Sequence, residues 1–168
     1  MIALLPFEKS DFSRFKSWIG SAKELLQFAG PYFAFPLTDY QLENYIQDTK
    51  RRPFKIINTE TKEIIGHCEI SFEREIPRLC RILIAKNSER NKGYGRRTIN
   101  ELLKLLFVKE NFVEADLNVY DWNSNAIRCY EGVGFRIDAN VFTEVKIGTE
   151  TWRSLNMRIH KSNWTASF

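Results

Sequence analysis

The chain has 168 residues, of which 43% are apolar and 27% are charged, and its formal net charge is +4. This length and composition predict a single globular domain over residues 1–168. No stretch approaches the roughly 20 consecutive apolar residues of a membrane-spanning helix, and the N-terminus lacks the basic region of a signal peptide. We therefore expect a cytoplasmic protein with no membrane partner.

The first half of the chain predicts one strand and several helices, followed by a hairpin. Apolar residues at three- and four-residue spacing indicate the helices, and Thr38 with Gln41 resembles a capping box. The predicted elements are a strand at Ile2–Leu5, helices around Phe12–Ile19, Ala22–Phe28 and Thr38–Ile46, and strands at Phe54–Asn58 and Glu63–Phe72.

The second half alternates strands and helices, which indicates a mixed α/β layered domain. Its long amphipathic helix has Ile99, Leu102 and Leu106 on one face. The predicted elements are strands at Arg78–Lys86, Val113–Tyr120, Phe135–Phe142 and Thr151–His160, and helices at Tyr94–Lys109 and Asn123–Gly132. Trp164, in the C-terminal tail, is a residue that can pack on a partner.

The three cysteines are expected to be buried free thiols. Cys68, Cys80 and Cys129 are scattered, odd in number, and form neither a CxxC pair nor a zinc-ligand pattern. No bound metal is predicted.

The positive charge is concentrated at one glycine-rich turn. Arg90, Lys92, Arg96 and Arg97 crowd around two glycines within eight residues. The helix that follows offers free N–H groups and the positive end of its dipole, which suit a phosphate group. GxxxxGK[ST] and GxGxxG are absent, so ATP and NAD are not predicted. No recognised nucleic-acid module is visible, and a nucleic-acid-binding regulator is a minor alternative.

Two motifs in register carry a family resemblance. RNKGYG at residues 90–95 matches R/QxxGxG/A, and NSNAIRCYEGVGF at residues 123–135 matches NxxAxxxYxxxGF. Together they resemble the GNAT acetyltransferase superfamily over roughly residues 78–135. Residues 24–46 are similar to the branch that includes ribosomal-protein-alanine N-acetyltransferases. The resemblance implies the GNAT α/β (α+β) fold, with a mixed central sheet of about six to seven strands flanked by helices.

The resemblance also implies an activity and a set of site residues. It implies an N-acetyltransferase that moves an acetyl group from acetyl-CoA to a primary amine by direct attack, with Tyr130 protonating the leaving thiolate. Asn123 would bind the cofactor, cap its own helix, or do both. The implied pantetheine and diphosphate contacts are Leu83, Ile84, Ala85, Arg90, Asn91, Lys92, Gly93, Tyr94, Gly95 and Arg96.

No general base is assigned from the sequence. Asn118 stands where several family members carry a glutamate, and an amide cannot act as a base near neutral pH. Carboxylates that could replace it are each expected to be solvated surface charges, and His67 is expected to be a strand-face residue. A water chain, or an amine that arrives neutral, is equally possible. The carboxylates are Asp116, Glu69, Glu73 and Glu75.

The missing glutamate also motivates an alternative of another class, a non-catalytic acyl-CoA-binding sensor or scaffold. The acceptor itself cannot be read from the sequence. It is expected to be a small-molecule or peptide amine: a protein N-terminus, polyamine, amino sugar, aminoglycoside or free amino acid. No nucleic-acid partner is expected, and the chain is expected to be a monomer or homodimer. Four aromatic residues are possible walls of the acceptor pocket: Trp18, Phe33, Phe35 and Trp122.

Overall fold

The computed structural model describes residues 1–85 and 92–165. In this part of the chain seven strands form one sheet in the order β1-β2-β3-β4-β5-β7-β6. The strands are β1 Ile2–Pro6, β2 Arg51–Asn58, β3 Ile64–Ser71, β4 Arg78–Ile84, β5 Glu114–Tyr120, β6 Arg136–Ile147 and β7 Glu150–His160.

Five α-helices flank the sheet in the described residues. Ser21, Thr38 and Asn123 each accept a backbone N–H bond at the start of a helix, as expected for N-cap residues. The helices are α1 Phe12–Ser17, α2 Ala22–Ala29, α3 Asp39–Gln47, α4 Tyr94–Lys104, which continues as a π-helix at Leu105–Lys109, and α5 Ser124–Glu131.

Two apolar clusters hold these helices. One lies between α4, α5 and the strands, and it includes the predicted helix stripe of Ile99, Leu102 and Leu106. The other joins α1, α2 and α3 around Phe15 and Tyr45. Strand β3 is buried along almost all of its length, so the side chains on both of its faces lie in the protein interior.

The sheet opens between β4 and β5, the one parallel pair among the described strands. Their pairing covers Arg78 with Asp116 and Leu79 with Leu117, and no later pair follows within the described ends of these strands. Every other neighbouring pair is antiparallel. The two strands therefore part at a gap lined by side chains from both.

Strand β4 also carries a bulge at the point where the gap begins. Glu69 pairs with Cys80, whereas His67 pairs with Leu83, so β4 has one extra residue between these pairs. Arg81 lies in this stretch with φ of +49°, a left-handed conformation uncommon for a non-glycine residue. Such bulges redirect side chains beside binding sites.

The C-terminal segment packs on its own chain. The Trp164 ring lies 5.7 Å from that of Phe107, and its Nε1 donates to Asn100 Oδ1 at 2.9 Å. Trp164 is thus used within the fold. No helix in the described ranges is long and apolar enough to span a membrane.

Candidate active site

The gap between β4 and β5 is part of a cleft of about 830 Å³. Strand β4 contributes Leu83, β5 contributes Asn118, and α5 contributes Tyr130. The same cleft is also lined by residues of α2, including Glu24 and Gln27. Helices α2 and α5 therefore line one cavity.

The end of β4 is held close to β3. The N–H of Ala85 donates to the carbonyl of Ile65 at 2.9 Å, and Ile84 pairs with Gly66. A Cβ on Gly66 would lie 2.1 Å from the Leu83 carbonyl oxygen, so only glycine fits there. Of the three strand-end residues expected to bind the pantetheine arm, Leu83 lines the cleft.

Helix α4 begins at the predicted glycine turn. Gly93 is its N-cap, with φ of +78° and no side chain to satisfy the first N–H groups. Free N–H groups at a helix N-terminus suit an anion. Among the described residues, a Cβ on Gly95 would meet Cys129 Sγ alone, at 3.8 Å.

The other residues of this turn have different roles. Tyr94 is buried, and its hydroxyl accepts a hydrogen bond from Asn58 Nδ2 at 3.0 Å, so it anchors the helix start to β2. Arg96 Nη2 donates to the Gly132 carbonyl at 3.0 Å and thereby joins α4 to the end of α5. Lys92 is exposed, and Arg90 and Asn91 lie outside the described residues.

Helix α5 presents Asn123 and Tyr130 to the cleft. The Asn123 side chain accepts the N–H of Ala126 at 3.3 Å, so it does cap the helix. The Tyr130 carbonyl accepts the N–H groups of Val133 and Phe135 at 3.0 and 3.1 Å, which fixes this residue at the helix end. Burial raises the pKa of Tyr130, and its hydroxyl is therefore protonated at neutral pH.

Two of the carboxylates expected on the surface are buried instead, so that expectation is wrong for Glu69 and Asp116. Asp116 accepts two hydrogen bonds from Arg78, each 2.7 Å long. Glu69 lies 2.9 Å from Arg51 Nη1 and 2.7 Å from Arg81 Nη1. A carboxylate in the interior needs such partners, because an unpaired buried charge is strongly unfavourable.

Glu73 and Glu75 are exposed, and Glu73 lines the cleft. Its Oε1 lies 2.7 Å from Arg51 Nη2. Asn118 lines the cleft as well. In the described part of the chain, the cleft wall thus holds two exposed carboxylates: Glu73, which is paired with an arginine, and Glu24 of α2, whose Oε2 accepts the N–H of Gly20 at 2.7 Å.

His67 is buried and faces the helices of the N-terminal half. Its ring lies 4.7 Å from that of Phe15 and 5.0 Å from that of Phe7, and its Nδ1 lies 3.1 Å from the Arg81 carbonyl oxygen. Since a carbonyl only accepts, Nδ1 carries the proton. Burial lowers the pKa of His67 to about 3, so the ring is neutral and supports the bulge at Arg81.

Cys80 is the one cysteine among the residues that line the cleft in the described structure. Burial raises its pKa to about 12. The thiolate is the nucleophilic form of cysteine, so at neutral pH this side chain is a neutral thiol. The site is consequently unsuited to an acyl-cysteine intermediate.

The aromatic residues expected as possible walls of the acceptor pocket lie in different surroundings. Trp18 lines the cleft, and Phe33 is buried in the cluster of α1–α3. Trp122 is exposed and stacks on Tyr120 at a centroid distance of 5.8 Å. The sequence missed Tyr32, which lines the cleft and whose ring lies under the guanidinium groups of Arg51 and Arg81.

Comparison with known proteins gives a family and a fold. A sequence profile described as the Acetyltransferase (GNAT) family matches residues 22–135. Spermidine N-acetyltransferase from Vibrio cholerae, solved in complex with CoA and spermine, is 21% identical, with 96% of each chain covered and a TM-score of 0.80.

Two related structures give the same result. A chimera of the Vibrio cholerae enzyme SpeG and hSSAT is 23% identical, with 96% of each chain covered and a TM-score of 0.78. A dodecameric form of the Vibrio cholerae enzyme is 22% identical, with 96% of this chain and 94% of that chain covered and a TM-score of 0.73. At this identity the likeness is one of fold, and it confirms the predicted GNAT fold.

The matched segment is more than half of the chain and includes the cleft-lining strands β4 and β5, the glycine turn and Tyr130. The geometry of the cleft agrees with this match. The free N–H groups at the N-terminus of α4 suit phosphate groups, and the gap between β4 and β5 suits the thioester arm of the same molecule. The chain therefore belongs to the GNAT family of acetyltransferases, and it is an acyl-CoA-dependent N-acetyltransferase with acetyl-CoA as its co-substrate.

Proposed function

We propose that this protein transfers an acetyl group directly from acetyl-CoA to a primary amine in the cleft, with Tyr130 as the proton donor to the leaving thiolate. One observation carries this assignment: Tyr130 lines the cleft that contains the gap between β4 and β5, and burial raises its pKa, so the phenol is protonated at neutral pH. A phenol with a retained proton can deliver it to a departing sulfur.

We also propose the cofactor contacts that the family resemblance implies. We assign Leu83, Ile84 and Ala85 as contacts of the pantetheine arm. Asn123 would contact the cofactor through the same side chain that caps α5. The diphosphate would be held by residues 90–96, among which the first residues of α4 supply backbone N–H groups. Residues 78–135 would then form the CoA-binding core of one domain over residues 1–168.

In this proposal water, and not a side chain, accepts the proton that the amine loses. Glu69 and Asp116 are each held by arginines and buried, and Asn118 cannot take a proton. The cleft is open, so a neutral amine can enter or deprotonate through water. Direct attack is further supported by Cys80, a neutral thiol and hence a poor acyl carrier.

Replacement of Tyr130 by phenylalanine tests the proposal. Loss of a general acid typically lowers the rate by about 10²–10⁴-fold, and acetyl-CoA should still stabilise the variant in a thermal-shift titration. Tyr120→Phe is the matched control, because Tyr120 lines the same cleft and its hydroxyl donates to the Leu26 carbonyl at 3.4 Å. Equal rates for Tyr130→Phe and Tyr120→Phe would remove Tyr130 from the mechanism.

The alternative of acyl-CoA binding without turnover was suggested by Asn118, and it is not adopted because the chain belongs to a family of acetyltransferases. It predicts a thermal shift with acetyl-CoA and no acetylation of any amine. Three finer expectations stay predictions: the ribosomal-protein-alanine branch, a cytoplasmic location, and a monomeric or homodimeric state.

A further inference from the structure

We infer that His67 is a positioning residue of the transfer reaction. It holds the carbonyl of Arg81 and thereby aims the N–H of Ile82 into the gap between β4 and β5, where this N–H would donate to the thioester carbonyl of acetyl-CoA. This inference rests on the proposed function, because it concerns the acyl donor of that reaction.

Four buried residues form a closed ring of contacts around the bulge of β4. The Nδ1–H of His67 donates to the Arg81 carbonyl at 3.1 Å, and its Nε2 lies 3.4 Å from the Tyr45 hydroxyl. That hydroxyl donates to Glu69 Oε2 at 2.5 Å, and Arg81 Nη1 donates to the same oxygen at 2.7 Å. The ring therefore holds both the main chain and the side chain of Arg81.

The surroundings of His67 would suit an apolar ring, so its polarity needs a reason. Three phenylalanine rings contact it, with centroid distances of 5.0 Å for Phe7, 4.7 Å for Phe15 and 5.9 Å for Phe28. A buried polar group costs stability unless it is hydrogen-bonded, and the Tyr45 proton is already given to Glu69. Among the described residues, the bond to the Arg81 carbonyl is therefore the one short hydrogen bond of the His67 side chain.

Arg81 is held in a conformation that it would not adopt by preference. Its φ of +49° lies in the left-handed region, which is unfavourable for a residue with a Cβ. Such strain persists where the surroundings impose it, and it collects at functional sites. His67 and Glu69, which impose it here, both come from β3, the neighbour of β4 on the side away from the gap.

The bond to His67 decides where the next N–H points. In a trans peptide the carbonyl and the following N–H point in opposite directions, and the peptide between Arg81 and Ile82 is trans. Since a side chain of β3 binds the carbonyl, the N–H of Ile82 points to the other side of β4, where β5 has parted from it. No register pair of the described strands includes Ile82, and this residue lines the cleft.

The proposed path of the cofactor leads to this N–H. The diphosphate is assigned to residues 90–96, beyond the end of β4, and the pantetheine arm to residues 83–85. An arm that runs back along β4 in this direction reaches Ile82 next, so its thioester would lie beside the bulge. Tyr130, the proposed proton donor, lines the same cleft.

A hydrogen bond at this place assists the reaction without transfer of its own proton. The amine nitrogen forms a bond to the thioester carbon, the carbonyl oxygen becomes negative, and the N–H of Ile82 stabilises that charge. When the carbonyl forms again, the C–S bond breaks and Tyr130 protonates the sulfur. A donor that is aimed in advance needs no reorganisation during the reaction, and His67 supplies this aim.

The infrared band of the bound thioester carbonyl measures this hydrogen bond without an acceptor amine. Acetyl-CoA that is isotope-labelled at the thioester carbonyl is bound to each protein, and the spectrum with unlabelled acetyl-CoA is subtracted. A hydrogen bond weakens the C=O bond and lowers its stretching frequency. We expect the band of the wild-type complex at a lower frequency than the bands of His67→Leu and His67→Phe, whose apolar side chains pack among the phenylalanines and cannot donate.

Two further variants separate the hydrogen bond from packing. His67→Asn keeps an N–H close to the position of Nδ1 and should restore the wild-type band. Phe15→Leu removes part of the packing around the His67 ring and should lower Tm while it leaves the band in place. A merely structural role of His67 predicts instead that the band follows Tm through the whole series.

Turnover is measured with spermidine, putrescine, lysine and glucosamine as probe amines. With the amine that the wild type acetylates fastest, His67→Leu should lower kcat by about 10–10²-fold, because a misdirected donor loses much of the roughly 10²–10³-fold effect of one oxyanion-hole group. KM for acetyl-CoA should stay within about threefold of wild type, because the bond is strongest in the transition state.

The outcomes separate this inference from the proposed function. Occupancy of the site is checked in every protein by a thermal shift with acetyl-CoA. Equal band positions in the wild type and in both variants that lack a donor would overturn the role of His67 and leave the transfer reaction standing. A band in Phe15→Leu that moves as far as the band in His67→Leu would overturn it as well. A wild type without a thermal shift would overturn the proposed function and this inference with it.

Discussion

Gly66→Ala should damage stability and cofactor use together. The added Cβ would lie 2.1 Å from the Leu83 carbonyl oxygen and 3.1 Å from Ile56 Cδ1, whereas real Cβ atoms essentially never approach closer than 3.0 Å. Strands β3 and β4 must then separate by roughly 1 Å, since the nearer atom is backbone. Overpacking of this kind costs about 1–3 kcal/mol, and we expect the upper end, which lowers Tm by roughly 6–12 °C.

The same displacement moves Leu83, which lines the cleft. A misplacement of about 1 Å can reduce catalysis up to about 10²-fold, so kcat/KM for acetyl-CoA should fall at least about tenfold. Thermal melts and steady-state kinetics measure both effects. The control is Gly148→Ala, in the β6–β7 turn, where φ is +59° and no atom of the described residues would lie within 4 Å of the added Cβ. It should lose about 1 kcal/mol through strain alone and keep wild-type kinetics. A Gly66→Ala variant with wild-type Tm and KM would refute the reasoning.

Glu69→Gln should lower the free energy of unfolding by about 3–5 kcal/mol, because Arg81 and Arg51 lose a buried carboxylate partner; urea unfolding measures it. His67 has a pKa of about 3 in the fold and about 6.5 in the unfolded chain, so the unfolded state binds the extra proton. Stability is therefore lost as pH falls from 6.5 towards 3, by about 2 kcal/mol between pH 7.5 and 5.0, and His67→Gln should remove this part of the pH dependence. Trp164→Ala should cost about 2–3 kcal/mol through its packing and hydrogen bond, with an unchanged elution volume in size-exclusion chromatography.

Exposed residues of the same type are the controls for the charged sites. Glu75→Gln, in the turn after β3, should leave the unfolding free energy within about 0.5 kcal/mol of wild type. His160→Gln, at the exposed end of β7, is the matched variant for His67→Gln. A Glu69→Gln variant as stable as Glu75→Gln, or a His67→Gln variant with the wild-type pH slope, would contradict the network described around Arg81. A new oligomeric state of Trp164→Ala would mean that Trp164 also contacts a partner.

The order of strands and helices was predictable because each element has a clear apolar period. The hairpin of β2 and β3, the amphipathic face of α4 and the alternation of β5 all appear in the structure. Boundaries were less accurate: β6 extends to Ile147, five residues beyond the predicted Phe142. The last turns of the long helix form a π-helix, which an apolar stripe does not distinguish from an α-helix.

The buried polar network was not predictable from local patterns. Glu69 and Asp116 looked like surface charges because their arginine partners lie 12 to 38 residues away in the sequence. The alternation of residue types along β3 assigns its side chains to the two faces of the sheet. It does not show that both faces are buried. The bulge at Arg81 could not be predicted from the sequence either, because arginine is not a residue that favours a positive φ.

The family motif also did not indicate which contacts anchor the turn before α4. Its variable position, Tyr94, is tied through the hydroxyl to Asn58, and the same amide accepts the N–H groups of Glu60 and Thr61 in the β2–β3 turn at 3.0 and 3.4 Å. One side chain thus links a surface hairpin to the start of α4, where the diphosphate is proposed to bind. A new loop grafted between β2 and β3 would therefore also disturb the hydrogen bond that anchors the first turn of α4.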